Sequence, residues 1–285
     1  MYLFRKQPEK RGGARLRRNP ANRPSDHFKP GPAVRIPKLS STCRSIREDL
    51  GLSRAEARDR TGLSDGYLFE IERGKHVPSL EALEKLIAGY RLNLMQARHL
   101  RELRAPAEDL LPTAKLRECL TANDVLMSHL QGLEQRRVLG AYIDPMWNVL
   151  ACNDSCRAAL PGLEETAESI PAWLYSPTAK TIVIEWEREA AHAAAVLKAI
   201  FGRYRASEQV RDLMRRLRPN RDANRLWGPS TNVAYGRDAS NPLHWRHPST
   251  GQPNSYIMTV SEVNQTQNVL LVTALRRPYC GPTIV

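Results

Sequence analysis

The 285-residue chain has no long apolar segment, since none of its hydrophobic runs approaches the ~18 residues that a membrane-spanning helix needs. No apolar signal-peptide core follows Met1. The five cysteines are an odd number in a large chain, and no Cys or His pair follows Cys152 and Cys156 at the spacing of a zinc site. These absences favour a cytoplasmic protein with reduced, structural thiols, no bound metal and no membrane partner.

Catalytic signatures are missing as well. The chain has no glycine-rich phosphate loop, no serine nucleophile elbow and no set of histidines at metal-binding spacing. Glu185, Glu187 and Glu189 alternate along a predicted helix, which is typical of a solvated face. We therefore expect neither an enzyme nor a cofactor.

Acidic residues are scarce near the N-terminus. Residues 1–40 contain eleven Lys or Arg, two acids and six of the twenty prolines, and so carry +9 of the net charge of +13. This composition predicts a disordered basic arm over residues 1–40. The arm either contacts phosphates beside a DNA-binding domain, or is a solubilising tail or an upstream extension from a misplaced start codon.

What the chain does have is a regular helical pattern after this arm. Predicted helices cover residues 42–49, 53–61, 64–73, a segment that starts at 79, and 94–104. Ser53 and Glu56 form a capping box, Gly62 ends the second helix, and Ser64 caps the third. Short helices joined by a tight turn predict a helix-turn-helix.

Residues 41–105 resemble the Cro and phage-repressor class of DNA-binding domains, the XRE family. The resemblance is carried by the run Ile71-Glu72-Arg73-Gly74 followed by Pro78-Ser79-Leu80. It implies that Glu72 forms a structural ion pair with an arginine of the first helix, which the pattern places at Arg47. The alternative interpretation is that Arg47 and Glu72 are two separate, solvated charges.

The resemblance also implies that one helix enters the major groove of double-stranded DNA. The DNA-binding residues that it implies are Arg54, Ser64, Asp65, Gly66, Tyr67, Phe69, Glu70, Arg73 and Lys75. Two groove-facing positions are carboxylates, which accept a hydrogen bond from cytosine N4 but cannot bind guanine O6 or N7. Arg58 stands where the family has a small residue, with Ala57 at the usual leucine position, so the two sides of the helix are swapped or the helix pair is loosened.

Prolines after residue 105 interrupt the helical pattern, so residues 106–137 predict a linker with one connecting helix. Its leucines would form a dimer seam or pack on a second domain. Strands are predicted over 138–143, 147–152, 255–263 and 269–275, with a long helix over 178–204 and a shorter one over 210–217. The expected fold class is an N-terminal all-α domain followed by an α+β sensor-like domain.

Residues 139–277 look like the MmyB-like ligand-binding domain, a PAS-like module that follows this kind of helix-turn-helix in actinobacterial regulators. The resemblance is carried by the segment 143–151 with Asn153, Pro177, Trp186, Leu226-Trp227, Asn232-Val233, the segment 247–251, and Gln267 with Leu270-Leu271-Val272. We place this domain at residues 138–278, with a tail at 279–285. The resemblance implies a small, lipophilic effector such as a fatty acid.

An apolar ligand needs apolar walls and few polar anchors. The wall residues that we expect are Trp147, Trp186, Phe201, Trp227 and Tyr256. The alternative for each tryptophan is plain core packing. Arg246 and His247 would anchor a carboxylate, or His247 is a structural residue that caps the turn before Pro248.

These patterns together predict a DNA-binding transcriptional regulator that acts as a homodimer and senses a small effector through its C-terminal domain. Dimerisation is expected because one recognition helix reads few base pairs, and two half-sites raise affinity and specificity. The alternative is a protein-interaction module that keeps the helix-turn-helix fold without sequence-specific DNA binding.

Overall fold

A computed structural model describes residues 33–228, 231–238, 240–263, 266 and 268–283. Most of the predicted basic arm therefore lies outside the described residues. Its last part belongs to the folded structure, because Val34 is fully buried and the first helix begins at Leu39. The folded chain thus starts before residue 41, where the sequence pattern placed the first domain.

Five helices form the N-terminal domain: α1 (Leu39–Asp49), α2 (Arg54–Thr61), α3 (Asp65–Glu72), α4 (Leu80–Gly89) and α5 (Leu94–Arg104). The helix caps that the sequence predicts are present in the structure. Ser53 and Glu56 form a complete capping box, and Gly62 ends α2 with a φ of 69°, which a glycine adopts without strain. The apolar faces of the helices meet in one core that includes Leu68, Ile71 and Leu83.

Ala57 and Arg58 have exchanged the buried and exposed sides of α2 relative to the family pattern. Ala57 is fully buried in the core, whereas the Arg58 side chain is half exposed and pairs with Asp59 and Asp65. The small Ala57 allows α2 to pack against α3 and α4. The departure from the family pattern therefore leaves the helix pair closely packed.

Two helices, α6 (Thr113–Thr121) and α7 (Asp124–Gln135), follow where the sequence pattern predicted one connecting helix. The prediction of a single helix is wrong because Asn123 is an N-cap whose side chain accepts from the Leu126 N–H, which starts a new helix. The leucines of this region do not form an exposed seam: Leu116, Leu120 and Leu130 are buried against Tyr142 and Leu150 of the sheet.

An antiparallel sheet of five strands organises the C-terminal domain, in the order β2-β1-β5-β4-β3. The strands are β1 (Leu139–Ile143), β2 (Val149–Cys152), β3 (Leu243–Arg246), β4 (Pro253–Glu262) and β5 (Leu270–Arg277). Alternation along β1 places Tyr142 against α6 and α7, and Ala141 and Ile143 against the opposite layer. The predicted α+β fold class is confirmed.

The opposite layer consists of helices inserted between β2 and β3: α8 (Asp154–Ala159), α9 (Ile170–Leu174), α10 (Pro177–Ile182), α11 (Trp186–Arg203), α12 (Glu208–Leu217) and α13 (Arg221–Trp227). The prediction of one continuous helix over 178–204 is wrong, because the structure divides this range into α10 and α11. Val183 forms a β-bridge with Trp245, and the Ile184 N–H donates to His244 O at 2.8 Å. These bonds to the sheet replace helical ones.

None of the helices described here is long and apolar enough to cross a membrane.

The two domains pack directly against each other through α5 and α11. A Cβ atom added at Gly202 would lie 2.7 Å from His99 Cε1 and 3.0 Å from Leu103 Cδ2, so the contact requires glycine. Arg205 donates to Glu102 O at 3.3 Å, and Tyr235 Oη donates to Glu102 Oε2 at 2.6 Å. We call this contact between α5, α11 and their flanking residues the seam.

Val34 ties the N-terminal segment to the same C-terminal domain. Its N–H donates to Asn224 Oδ1 at 2.9 Å, its carbonyl accepts from Arg218 Nε at 3.1 Å, and its side chain lies in the core around Phe201 and Trp227. The segment that leads into α1 is therefore held by the C-terminal domain. The helix-turn-helix is connected to that domain at both its first and its last helix.

Replacing Gly202 with Ala should lower the free energy of unfolding by about 1–3 kcal/mol, because the new methyl group overpacks the seam against the buried His99 ring. Gly132→Ala is the matched control, since α7 leaves open space around Gly132. This change should stabilise the chain by roughly 0.5–1 kcal/mol through helix propensity. Urea unfolding of the full chain measures both, and equal stability of the two variants would contradict a closely packed seam.

Candidate DNA-reading surface and sensor core

The end of α3 is fixed by a buried carboxylate. Glu72, whose side chain is 2% exposed, accepts from Arg47 Nε at 2.5 Å and from Arg47 Nη2 at 3.0 Å. Arg47 also donates to Leu52 O at 2.6 Å. The structure thus brings together the two residues that the sequence pattern paired, in a bidentate geometry that joins α1 to α3.

Arg54 completes this network rather than extending freely towards phosphates. Its Nη2 and Nε donate to Glu72 Oε2 at 2.8 and 3.0 Å, and its side chain remains 35% exposed. Burial disfavours the Glu72 carboxylate, but the hydrogen bonds from Arg47 and Arg54 outweigh it, so the pKa of Glu72 is lowered. Burial beside Glu72 raises the pKa of the Cys43 thiol to about 12, so this thiol is unreactive.

Asp65, Gly66, Phe69 and Glu70 lie on the accessible side of α3, whereas Tyr67 packs partly against the N-terminal core and the His76 ring. Ser64 caps α3 by accepting from the Tyr67 N–H at 3.2 Å, and Gly66 has open space around it. Phe69 is 36% exposed and lies beneath two guanidinium groups, at 5.1 Å from Arg54 and 5.3 Å from Arg73. The aromatic ring is therefore presented together with two cations.

Both carboxylates of this surface have a cationic neighbour. Asp65 Oδ2 lies 3.6 Å from Arg58 Nη1, and Glu70 Oε2 lies 3.7 Å from Lys75 Nζ. All four side chains are between 39% and 59% exposed, so water screens these pairs and each contributes little to stability. The two cations place positive charge directly beside both carboxylates of this surface.

The expected wall residues of the sensor pocket lie in three parts of the core. Phe201 and Trp227 pack against each other at 5.4 Å, and Trp147 lies on the sheet side. Trp186 belongs to both of these regions, and its Nε1 donates to Leu174 O at 2.7 Å. Tyr256 lies further away, beside Trp245 at the β3 edge of the sheet.

The expected carboxylate anchors do not join this aromatic core. His247 is exposed in the turn after β3, where its Nδ1 accepts from the Ser249 N–H at 3.3 Å. Arg246 lies next to Trp245 on β3, and alternation along the strand points the two side chains to opposite faces. The structural interpretation of His247 as a turn residue therefore matches its position.

A buried ionic cluster on α11 was not expected from the sequence. Glu189 is only 7% exposed, and it accepts from Arg237 Nη2 at 2.5 Å and from Arg188 Nη2 at 2.9 Å. The prediction of a solvated face for Glu185, Glu187 and Glu189 is therefore wrong for Glu189. No local signal reveals the pair, because Arg237 is 48 residues away in the sequence.

Two cavities in the described part of the chain are lined mainly by residues that the sequence pattern did not select. One, of about 50 Å³, lies at the seam and includes Arg35, His99, Lys198 and Trp227. The other, of about 350 Å³, lies between α6 and α12 and is lined by polar residues such as Thr113, Arg117 and Glu208. Trp227 is the expected pocket residue that lines the first cavity, and the second contains none of them.

Comparison with protein families assigns both halves of the chain. The family model of the MmyB-like transcription regulator ligand binding domain matches residues 125–278, and that of a helix-turn-helix domain matches residues 39–100. The comparison with curated proteins found no match. The two matches confirm the predicted resemblances in the predicted order. The first range also includes most of α7, which the sequence pattern had assigned to the linker.

Replacing Glu72 with Gln should cost about 3 kcal/mol of unfolding free energy, because the buried Arg47 charge then keeps only the more distant, exposed Glu48 carboxylate at 3.5 Å. Glu81→Gln is the control, since this exposed residue pairs only with Lys85 one turn away and should cost less than about 0.5 kcal/mol.

The same variant should change the acid sensitivity. The pKa of Glu72 is lowered in the folded state, so its stabilisation is complete above about pH 4.3 and is lost as the pH falls through the folded pKa. Urea unfolding at descending pH should therefore show a smaller acid loss for Glu72→Gln than for wild type. Parallel pH profiles would show that the ion pair does not stabilise the domain.

Proposed function

Because the chain belongs to the MmyB-like transcription regulators, we propose that it reads DNA with α3 and that a small lipophilic effector in its C-terminal domain controls this binding. Proteins with these two domains are DNA-binding, ligand-binding regulators, and neither matched family is enzymatic. Since its partner is DNA, the proposed site of action is the cytoplasm. The observation that carries the proposal is the exposed side of α3, which combines groups able to contact bases with flanking cations.

The proposed base contacts follow from the side chains on the exposed side of α3. Asp65 and Glu70 would accept hydrogen bonds from cytosine N4, and Phe69 would rest on a thymine methyl group. Arg73 and Lys75 would contact phosphates, with Arg54 contributing its exposed part while it holds Glu72. The proposed half-site therefore contains cytosine, and much of the affinity comes from backbone contacts.

The proposed regulator works as a homodimer, since a single short recognition helix reads few base pairs. The second candidate is a protein-interaction module, which is favoured by the exposure of Phe69 beside two carboxylates. The tight packing of α2 on α3 through Ala57 supports the DNA reader, because it keeps the fixed helix geometry that groove binding requires. Selection of DNA sites separates the two candidates.

Replacing Glu70 with Gln should move the preference at one half-site position from cytosine towards adenine, by about 1–3 kcal/mol, because an amide can bond adenine N6 and N7. Glu118→Gln, an exposed change on α6, is the control and should leave the selected sites unchanged. The measurement is site selection from a random DNA library with the full chain. If the wild type selects no site at low salt, the interaction module is the correct assignment.

The effector proposal is supported by the aromatic core around Trp186, which joins the layers on both sides of α11. Octanoate or palmitate should raise Tm by roughly 5 °C at saturating concentration, which corresponds to about 2.7 kcal/mol at a hundred times Kd. Trp186→Phe should keep this rise and Trp186→Ala should lose it. Thermal unfolding that no lipophilic acid shifts would assign the tryptophans to packing alone.

A further inference from the structure

A small cleft lies at the seam, between the helix-turn-helix domain and the sensor domain. The first domain contributes His99 of α5 and the hydroxyl groups of Ser41, Thr42 and Ser45 on α1. The sensor domain contributes Lys198 of α11 and Trp227 of α13, and Arg35 comes from the segment that precedes α1. Three basic side chains from three segments of the chain therefore line one cavity.

His99 has an unmet hydrogen-bonding requirement. The residue is 3% exposed, and its Nδ1 has no hydrogen-bond partner among the described residues. Burial, together with the nearby Lys198 charge, lowers the pKa of His99 to about 4, so the ring is neutral near pH 7. In the neutral tautomer that carries its proton on Nδ1, the ring donates from this atom, so a bound acceptor would supply the missing partner. A buried polar atom left without one is unfavourable.

The electrostatic field of the cleft favours a negative charge. Lys198 Nζ lies 5.8 Å from the centre of the Trp227 ring. Burial is the main cause that lowers the pKa of Lys198 to about 8, with Asp49 opposing and Arg35 assisting the shift. The first turn of the eleven-residue helix α1 adds to this field, since Lys38 at its N-cap makes no side-chain cap and the first turn contains no acidic residue.

We propose that the cleft binds a small oxyanion, a carboxylate or a phosphate, between Lys198, Arg35, His99 and the first turn of α1. The cavity volume of about 50 Å³ fits an anion of this size, since a single water needs only about 10–15 Å³. It has no room for a long acyl chain, so this site is distinct from the effector pocket proposed for the aromatic core.

A bound anion would connect elements of both domains through charge-assisted hydrogen bonds. It would favour the closed seam and so restrict the orientation of α3 relative to the sensor domain. The binding itself does not depend on DNA, whereas this regulatory consequence rests on the proposed function. Measuring binding without DNA therefore separates a failure of the anion site from a failure of the DNA-reading proposal.

Calorimetric titration of the full chain with inorganic phosphate and with acetate, at constant ionic strength, tests the site. We expect saturable binding of one anion per chain, weakened about ten-fold or more in Lys198→Met and several-fold in Arg35→Gln. Lys115→Met, an exposed lysine on α6, is the control and should bind like wild type. Arg35 is itself exposed, so Arg35→Gln remains informative if Lys198→Met folds poorly.

Acetate affinity should also fall about ten-fold from about pH 7 to about pH 9, as Lys198 loses its proton. Among the described residues, the titratable groups near Lys198 include Asp49 from α1, Arg35 from the preceding segment and His99 from α5, which is already neutral. Preference for acetate or phosphate identifies the kind of oxyanion. Unchanged binding in both Lys198→Met and Arg35→Gln, or affinity that does not depend on pH, would overturn the proposal.

Discussion

The contact between Gly202 and His99 is the constraint on which the arrangement of the two domains depends. With any larger residue at position 202, the buried His99 ring or the two helices would have to shift, because the nearest atom of that ring is only 2.7 Å from the added Cβ. The first turn of α11 carries Trp186 of the aromatic core, and its last turn carries Gly202. One continuous helix therefore runs from the core of the sensor domain to the DNA-reading domain.

Buried ion pairs fix the two ends of this connection. Glu72 holds α3 through Arg47 and Arg54, so α3 cannot tilt without separating buried charges from their partners. On α11, Glu189 holds Arg237, and the adjacent Tyr235 reaches across the seam to Glu102 and lies 3.9 Å from the Arg98 guanidinium. A displacement of Glu189 would therefore reach α5 through Arg237 and Tyr235 as well as through α11.

Local signals in the sequence were sufficient for the helix ends of the helix-turn-helix, because the capping box at Ser53 and the glycine at 62 depend on short spacings. The pairing of Arg47 with Glu72 spans 25 residues, and only the family resemblance implied it. The division of the long helix into α10 and α11 was missed because its cause, the bridge from Val183 to Trp245, links distant segments. The expected pocket residues lie in different parts of the core because contacts between distant segments also determine their positions. The seam cavity gave no sequence signal, since its residues come from four separate stretches of the chain.

The most direct test of the coupled architecture is a thermodynamic cycle on wild type and Gly202→Ala, with DNA and an effector fatty acid titrated alone and together. If the seam transmits the signal, the effector should change DNA affinity by about 5- to 150-fold, and DNA should change effector affinity by the same factor. Gly202→Ala should retain both binding events and lose this factor. An unchanged factor in Gly202→Ala would contradict transmission through the seam, and the absence of any factor in wild type would contradict ligand control itself.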